Sequence, residues 1–61
     1  MTKDTVEVYR DRKKEWRWRR IAMNGRKVSN SGEGYQRPGY CMKRARDRNR
    51  DVRRFVKIPI D

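Results

Sequence analysis

The sequence predicts a small α+β domain in which three strands precede one helix and a last strand, in the order β-β-β-α-β. Two stretches in the first half alternate apolar and polar residues, as half-buried strands do. A proline then opens a stretch with helical spacing, and strand-forming residues return near the end. With 61 residues the chain is long enough for one domain, and we assign residues 1–61 to it.

The two alternating stretches predict the first two strands. Val6-Glu7-Val8-Tyr9 forms the first, and a polar loop follows it. In the second strand, alternation separates two sets of side chains on opposite faces. One face receives Trp16, Trp18, Arg20 and Ala22, and the other receives Arg17, Arg19 and Ile21.

A hairpin is predicted after the second strand. Asn24-Gly25 is a strong hairpin signal because both residues tolerate the positive φ of a type I′ turn. Lys27-Val28-Ser29-Asn30 is then the returning strand. The first thirty residues are therefore expected to form a three-stranded antiparallel meander.

The second half contains the predicted helix and the last strand. Pro38 suits the first turn of a helix that is expected to run to about Val52. The apolar stripe of this helix is thin, and Arg48 falls at a position spaced like a core residue. The stripe consists of Cys41, Met42, Ala45 and Val52. Phe55-Val56-Lys57-Ile58-Pro59-Ile60 predicts the last strand, with Pro59 at its end or at a sheet edge.

The composition excludes several classes of protein. The chain has no histidine, so it has no histidine-based general base or imidazole metal ligand. A single cysteine forms neither an internal disulfide nor a zinc site with other cysteines. We therefore expect no catalytic residues, no metal and no cofactor, and we expect that the protein is not an enzyme. No apolar run is long enough to span a membrane and no signal peptide follows Met1, so we expect a cytoplasmic protein that does not bind membranes.

The net charge of +11 predicts an acidic partner. Residues 1–30 carry ten basic and four acidic side chains, and residues 31–61 carry nine and four. The positive charge thus belongs to the folded body and not to a basic tail. Only 33% of the residues are hydrophobic, so a single chain has little material for a core, and the composition leaves three alternatives: a partner subunit, a bound ligand or disorder.

Three motifs together resemble a known family. Trp16-Arg17-Trp18-Arg19, the Asn24-Gly25 turn and Ser31-Gly32-Glu33-Gly34-Tyr35 stand in the order and spacing of the YegP-like family of small uncharacterised proteins. The similarity extends from Val6 to Ile60. It implies a β-β-β-α-β unit that pairs with a second unit, so that the two share one sheet and exchange their C-terminal strands. A chain with one such unit is then expected to form a strand-exchanged homodimer.

Two departures from the family pattern affect the loop and the helix. Lys14 stands where the family usually has glycine. Gln36-Arg37-Pro38-Gly39 and an arginine-rich helix replace the usual serine-rich cap and alanine-rich turns. The basic helix is thus a feature of this chain, and the family supplies no biochemical activity to transfer to it.

Several motifs have a structural and a functional interpretation. Trp16 and Trp18 are either core residues, which we favour, or a platform for stacking bases. Ser31-Gly32-Glu33-Gly34 before a helix is either an anion site or, as we favour, a corner in which Glu33 pairs with an arginine. Cys41 is favoured as a small buried side chain over a reactive thiol.

The strongest functional signal is a basic stretch from Lys43 to Arg54, which carries seven positive residues. Asp47 and Asp51 lie within it and are expected to pair with arginines rather than to bind a metal. We predict sequence-tolerant binding of nucleic-acid phosphates by the helix and by strand arginines. The predicted contacts are Arg17, Arg19, Lys43, Arg44, Arg46, Arg50, Arg53 and Arg54. The alternative is an interaction module, such as a small phage or accessory factor, that docks on an acidic host protein.

Overall fold

The computed structural model describes residues 3–58 and has an α+β fold in which one helix packs against a four-stranded mixed sheet. Its elements are β1 (Thr5–Arg10), β2 (Trp16–Ile21), β3 (Lys27–Asn30), α1 (Pro38–Arg48) and β4 (Arg54–Ile58). The strand order is β3-β2-β1-β4. β2 is antiparallel to both β1 and β3, whereas β4 is parallel to β1. The predicted order of elements is therefore confirmed.

The register of the strands separates a helix-covered face from an open face. Val8 pairs with Trp18, and Val6 lies between Arg20 on β2 and Phe55 on β4. These side chains share the face on which α1 packs, because alternate residues of a strand point the same way. The tryptophan strand thus has the predicted alternation, and Trp18 belongs to the core with only 6% of its surface exposed.

The core is small. Among the described residues, six hydrophobic side chains are buried, and Trp16, Tyr35, Met42 and Phe55 pack partly buried around them. The six are Val6, Val8, Trp18, Cys41, Ala45 and Val52. Burial raises the pKa of the Cys41 thiol to about 11, so at neutral pH it is a neutral, unreactive group. The interpretation of Cys41 as a small buried residue is confirmed.

The helix ends at Arg48, four residues before Val52. The predicted end of the helix near Val52 is therefore wrong. Asn49 is the cause, because its side-chain amide donates a hydrogen bond of 2.8 Å to the Ala45 carbonyl. The Val52 amide then donates to the Asn49 carbonyl at 3.0 Å, which turns the chain toward β4. Asn49 is buried, whereas Arg48, although spaced like a core residue, is exposed.

The hairpin between β2 and β3 forms at the expected place but with another turn. Ala22 and Arg26 close a three-residue loop, with the Ala22 amide donating to the Arg26 carbonyl at 2.8 Å. Only Gly25 has a positive φ there, of 89°, so the expected type I′ geometry is wrong. A glycine in the left-handed region is what a three-residue hairpin loop requires. The predicted end of the last strand, Pro59 and Ile60, lies outside the described residues.

Candidate functional site

The basic stretch of the sequence is divided among three elements. Lys43, Arg44 and Arg46 lie on α1, but Arg50 and Arg53 lie in the connection that follows it. Arg54 is the first residue of β4. The expectation of one continuous basic helix is therefore wrong, because Asn49 ends the helix within the stretch.

The turn after α1 brings three of these arginines into one cleft. We call it the basic cleft; its volume is about 390 Å³. It is lined by Arg46, Asn49, Arg50, Val52, Arg53 and Phe55. No carboxylate contributes to this lining, and within residues 3–58 none of the three arginines forms an ion pair. Three uncompensated guanidiniums in one concavity create a local positive potential that attracts anions.

Burial of two apolar residues shapes the basic cleft. Val52 is 4% exposed and holds the connection against the core, while Phe55 follows on the helix-facing side of β4. The guanidinium carbon of Arg46 lies 5.5 Å from the centre of the Phe55 ring, within the range of a cation–π contact. The guanidinium thus lies over the aromatic ring within the basic cleft. Its planar surface is one on which a base can stack.

Arg20 holds the rear of the cleft in place. Its Nη2 donates to Asp51 Oδ2 at 2.8 Å and its Nε donates to Asp4 Oδ2 at 2.8 Å. Its Nη1 contacts the Asn49 amide oxygen at 3.4 Å, so the connection is joined to β2. The hydrogen bonds from Arg20 lower the pKa of the Asp51 carboxyl. Asp51 therefore pairs with an arginine, as expected, but with one on β2 rather than in the basic stretch.

The two predicted strand arginines lie on the open face and are already paired. Arg19 Nε donates to Glu7 Oε1 at 2.6 Å, and its guanidinium carbon lies 4.7 Å from the Tyr9 ring centre. Arg17 Nε donates to Asp11 Oδ2 at 2.6 Å. A ligand phosphate would have to compete with these carboxylates. The structure does not bring Arg17 and Arg19 together with the basic cleft, which faces the helix side.

A second concavity, which we call the polar cleft, borders the other side of Asn49. Its volume is about 360 Å³. Its polar lining includes Ser29, Ser31, Glu33, Tyr35, Arg48 and Asn49. No sequence motif points to Arg48 or Ser29 as site residues, because the two are far apart in the chain and line the same cleft only in the folded structure.

The Ser31-Gly32-Glu33-Gly34-Tyr35 segment forms one wall of the polar cleft. Trp16 and Tyr35 exchange two backbone hydrogen bonds, of 2.6 and 2.8 Å, so the segment loops out from β2 and returns to it. The Tyr35 hydroxyl donates to Glu33 Oε1 at 2.9 Å, and Ser31 Oγ donates to the Glu33 carbonyl at 2.8 Å. Glu33 thus bonds to a tyrosine, and the expected pairing with an arginine is not formed among the described residues.

Comparisons with family models, curated proteins and solved structures find no match for this chain. Among the residues that the structure describes, no helix is long and apolar enough to cross a membrane. In the same part of the chain, no group of three or more cysteine, aspartate or glutamate side chains is arranged to hold a metal ion.

Proposed function

We propose that this protein is a non-enzymatic nucleic-acid-binding protein that contacts phosphates in the basic cleft with little sequence preference. One observation carries the proposal: Arg46, Arg50 and Arg53 line one cleft without a carboxylate partner among residues 3–58. Guanidinium groups suit phosphate because their planar N–H donors match two of its oxygens. Within residues 3–58 the guanidiniums of the basic cleft form no ion pair, whereas those of Arg17 and Arg20 form ion pairs with aspartates.

The other predicted contacts take secondary roles in this proposal. Lys43 shares with Arg46 a shallow depression beside the basic cleft, and Arg54 follows Arg53 directly. Lys43 extends the positive surface beside the cleft, whereas Arg54 alternates with the helix-facing Phe55 on β4 and so points to the open face of the sheet. Arg17 and Arg19 contribute less, because each must leave a carboxylate before it reaches a phosphate. Binding through the cleft is thus expected to dominate.

The same proposal includes a homodimer in which β4 is exchanged between subunits. Within residues 3–58, six buried hydrophobic side chains make a small core, and α1 covers only one face of the sheet. β4 lies at a sheet edge and is joined to α1 by the short connection of residues 49–53. Light scattering that gives the mass of one chain, about 7.5 kDa, at micromolar concentration would refute the dimer. If β4 exchanges, differently tagged dimers should mix only as fast as the protein unfolds.

Fluorescence anisotropy with labelled oligonucleotides, both duplex and single-stranded, tests the binding proposal. We expect affinity at low salt that falls linearly with the logarithm of salt concentration, because bound arginines release counterions from the phosphates. No binding to either form at low salt would refute the proposal. Polyglutamate of matched length is the control. If it binds as tightly as nucleic acid, an acidic protein is the better candidate partner, and nuclease-resistant capture of one defined acidic protein would support it.

A further inference from the structure

The basic cleft and the polar cleft meet at Asn49, the buried residue that ends α1. Asn49 lines both concavities and is only 3% exposed. Its amide is held on both sides, donating to the Ala45 carbonyl and accepting from Arg20. Asn49 is therefore a rigid divider, and one ligand that passes over it contacts both clefts.

The two clefts differ in the chemistry that they offer. The basic cleft presents three guanidiniums, which are donors only. The polar cleft combines the guanidinium of Arg48 with the carboxylate of Glu33, so it offers both a cationic donor and an anionic acceptor. A phosphate carries acceptors alone, and Glu33 would repel it. The edge of a nucleobase carries both N–H donors and carbonyl or ring-nitrogen acceptors, and thus suits the polar cleft.

Hydrogen bonds within the wall of the polar cleft fix the position of Glu33. One oxygen of Glu33 accepts from the Tyr35 hydroxyl, and the other accepts no hydrogen bond from residues 3–58. Trp18 closes the inner end of the cleft. A concavity of about 360 Å³ lies within the range of about 300–1,000 Å³ that small-molecule sites occupy. It has room for one base.

We propose that the nucleic acid bound by this protein is single-stranded, with backbone phosphates in the basic cleft and an unpaired base in the polar cleft. This inference rests on the proposed function. Bases in a duplex hydrogen-bond to each other and stack within the helix, so their pairing edges do not enter a cleft. The Arg46 guanidinium, which lies over the Phe55 ring, provides a planar surface on which a neighbouring unpaired base can stack, and the bases of a duplex are not free to do so.

The first test compares a 12-nucleotide strand with a duplex of the same sequence at one salt concentration. We expect the single strand to bind about tenfold more tightly, since one base contact of this kind is lost in the duplex. Equal or tighter binding of the duplex would overturn the single-strand inference and leave the proposed function standing. Absence of binding to both forms would overturn both.

Glu33→Gln gives a second test in which the two interpretations predict opposite signs. If Glu33 accepts from a base, the variant weakens single-strand binding about tenfold while duplex binding stays the same or tightens. If Glu33 only repels phosphates, the variant tightens binding of both forms. Asp47→Asn is the matched control, because it removes the same charge from a residue outside the polar cleft. We expect it to tighten both forms slightly, and circular dichroism verifies that both variants fold.

Discussion

Arg20 and Asp51 are joined by two hydrogen bonds, from Nη1 to Oδ1 at 3.2 Å and from Nη2 to Oδ2 at 2.8 Å. The pair links β2 to the connection between α1 and β4, because Asp51 lies 31 residues after Arg20 in the chain. Arg20 also bonds to Asp4 through Nε, so one guanidinium holds two separate segments. Because the basic cleft begins at this connection, the geometry of the candidate site depends on a side chain that does not line it.

Replacing Arg20 by lysine should destabilise the fold. A lysine ammonium is a point charge and does not reach Asp4 and Asp51 with the same fork of donors. We expect Arg20→Lys to lower the free energy of unfolding by about 1 kcal/mol, which for a chain of this size lowers the melting temperature by about 4–8 °C. Arg12→Lys, in the exposed β1–β2 loop, is the matched control and should have no measurable effect. Equal melting temperatures for wild type and Arg20→Lys would contradict this role.

Lowering the pH should destabilise the protein because it protonates two carboxylates that form hydrogen bonds in the folded state. The Glu15 amide and then the Arg17 guanidinium hold the pKa of Asp11 below its usual 3.8, and Arg20 lowers the pKa of Asp51. A carboxyl with a lower pKa in the folded state stabilises that state above its unfolded pKa, and this stabilisation is lost as the pH falls through the folded pKa. We therefore expect the urea concentration at the unfolding midpoint to decrease when the pH is lowered below about 4.

The pH experiment has its own control in the double variant Asp11→Asn, Asp51→Asn. Its urea midpoint should be lower than that of wild type at about pH 7 and should change less between about pH 5 and pH 2. An unchanged pH dependence in this variant would show that other carboxylates cause the acid sensitivity.

Lys14→Gly should stabilise the β1–β2 loop. Lys14 has a φ of 65°, the only positive φ of a non-glycine residue among residues 3–58. A side chain in this left-handed conformation is strained, and glycine adopts it freely. We expect the free energy of unfolding to rise by about 0.5–1 kcal/mol, as measured by urea denaturation. Lys13→Gly in the same loop should not be stabilising, because Lys13 has no positive φ; a gain of equal size there would refute the argument.

Gly34→Ala should be destabilising because there is no space for a side chain. A Cβ at Gly34 would lie 2.7 Å from both the Cβ and the Cδ of Glu15. Relief requires a shift of the backbone that pairs Tyr35 with Trp16, and we expect a loss of about 1–3 kcal/mol. Gly39→Ala in α1 is the control, since nothing lies within 4 Å of its added Cβ. It should leave stability unchanged or raise it by up to about 1 kcal/mol. A Gly34→Ala variant as stable as the wild type would contradict this steric argument.

The strands could be predicted from the sequence because their signals are local. Val6 and Val8, like Trp16 and Trp18, alternate with polar residues, and this period alone assigns them to the helix-covered face. The sequence thus predicts most elements and the side of the sheet on which the core lies.

The site was harder to predict because it depends on contacts between distant residues. The helical spacing of the basic stretch continues past Asn49, and only the bonds of Asn49 to Ala45 and Arg20 show that the helix stops there. That stop moves Arg50 and Arg53 from a helix face into a cleft beside Phe55. Asparagine is common just after a helix end, but one asparagine within a continuing helical pattern does not by itself set the boundary.

The salt dependence of nucleic-acid binding by two charge-matched variants tests the role of the basic cleft most directly. Arg46→Gln, Arg50→Gln removes two charges from the basic cleft, and Arg12→Gln, Lys13→Gln removes two from the loop at the far end of β1. The two regions lie at opposite ends of β1, and the five strand residues between them span about 17 Å.

The measurement is the slope of the logarithm of the oligonucleotide binding constant against the logarithm of salt concentration, by fluorescence anisotropy. Each lost phosphate contact makes the slope shallower by about 0.7–0.9, so the cleft variant should be shallower than wild type by about 1.4–1.8. The loop variant should keep the wild-type slope. Equal slopes for the two variants would show that net charge rather than the basic cleft binds the nucleic acid, and would contradict the central claim.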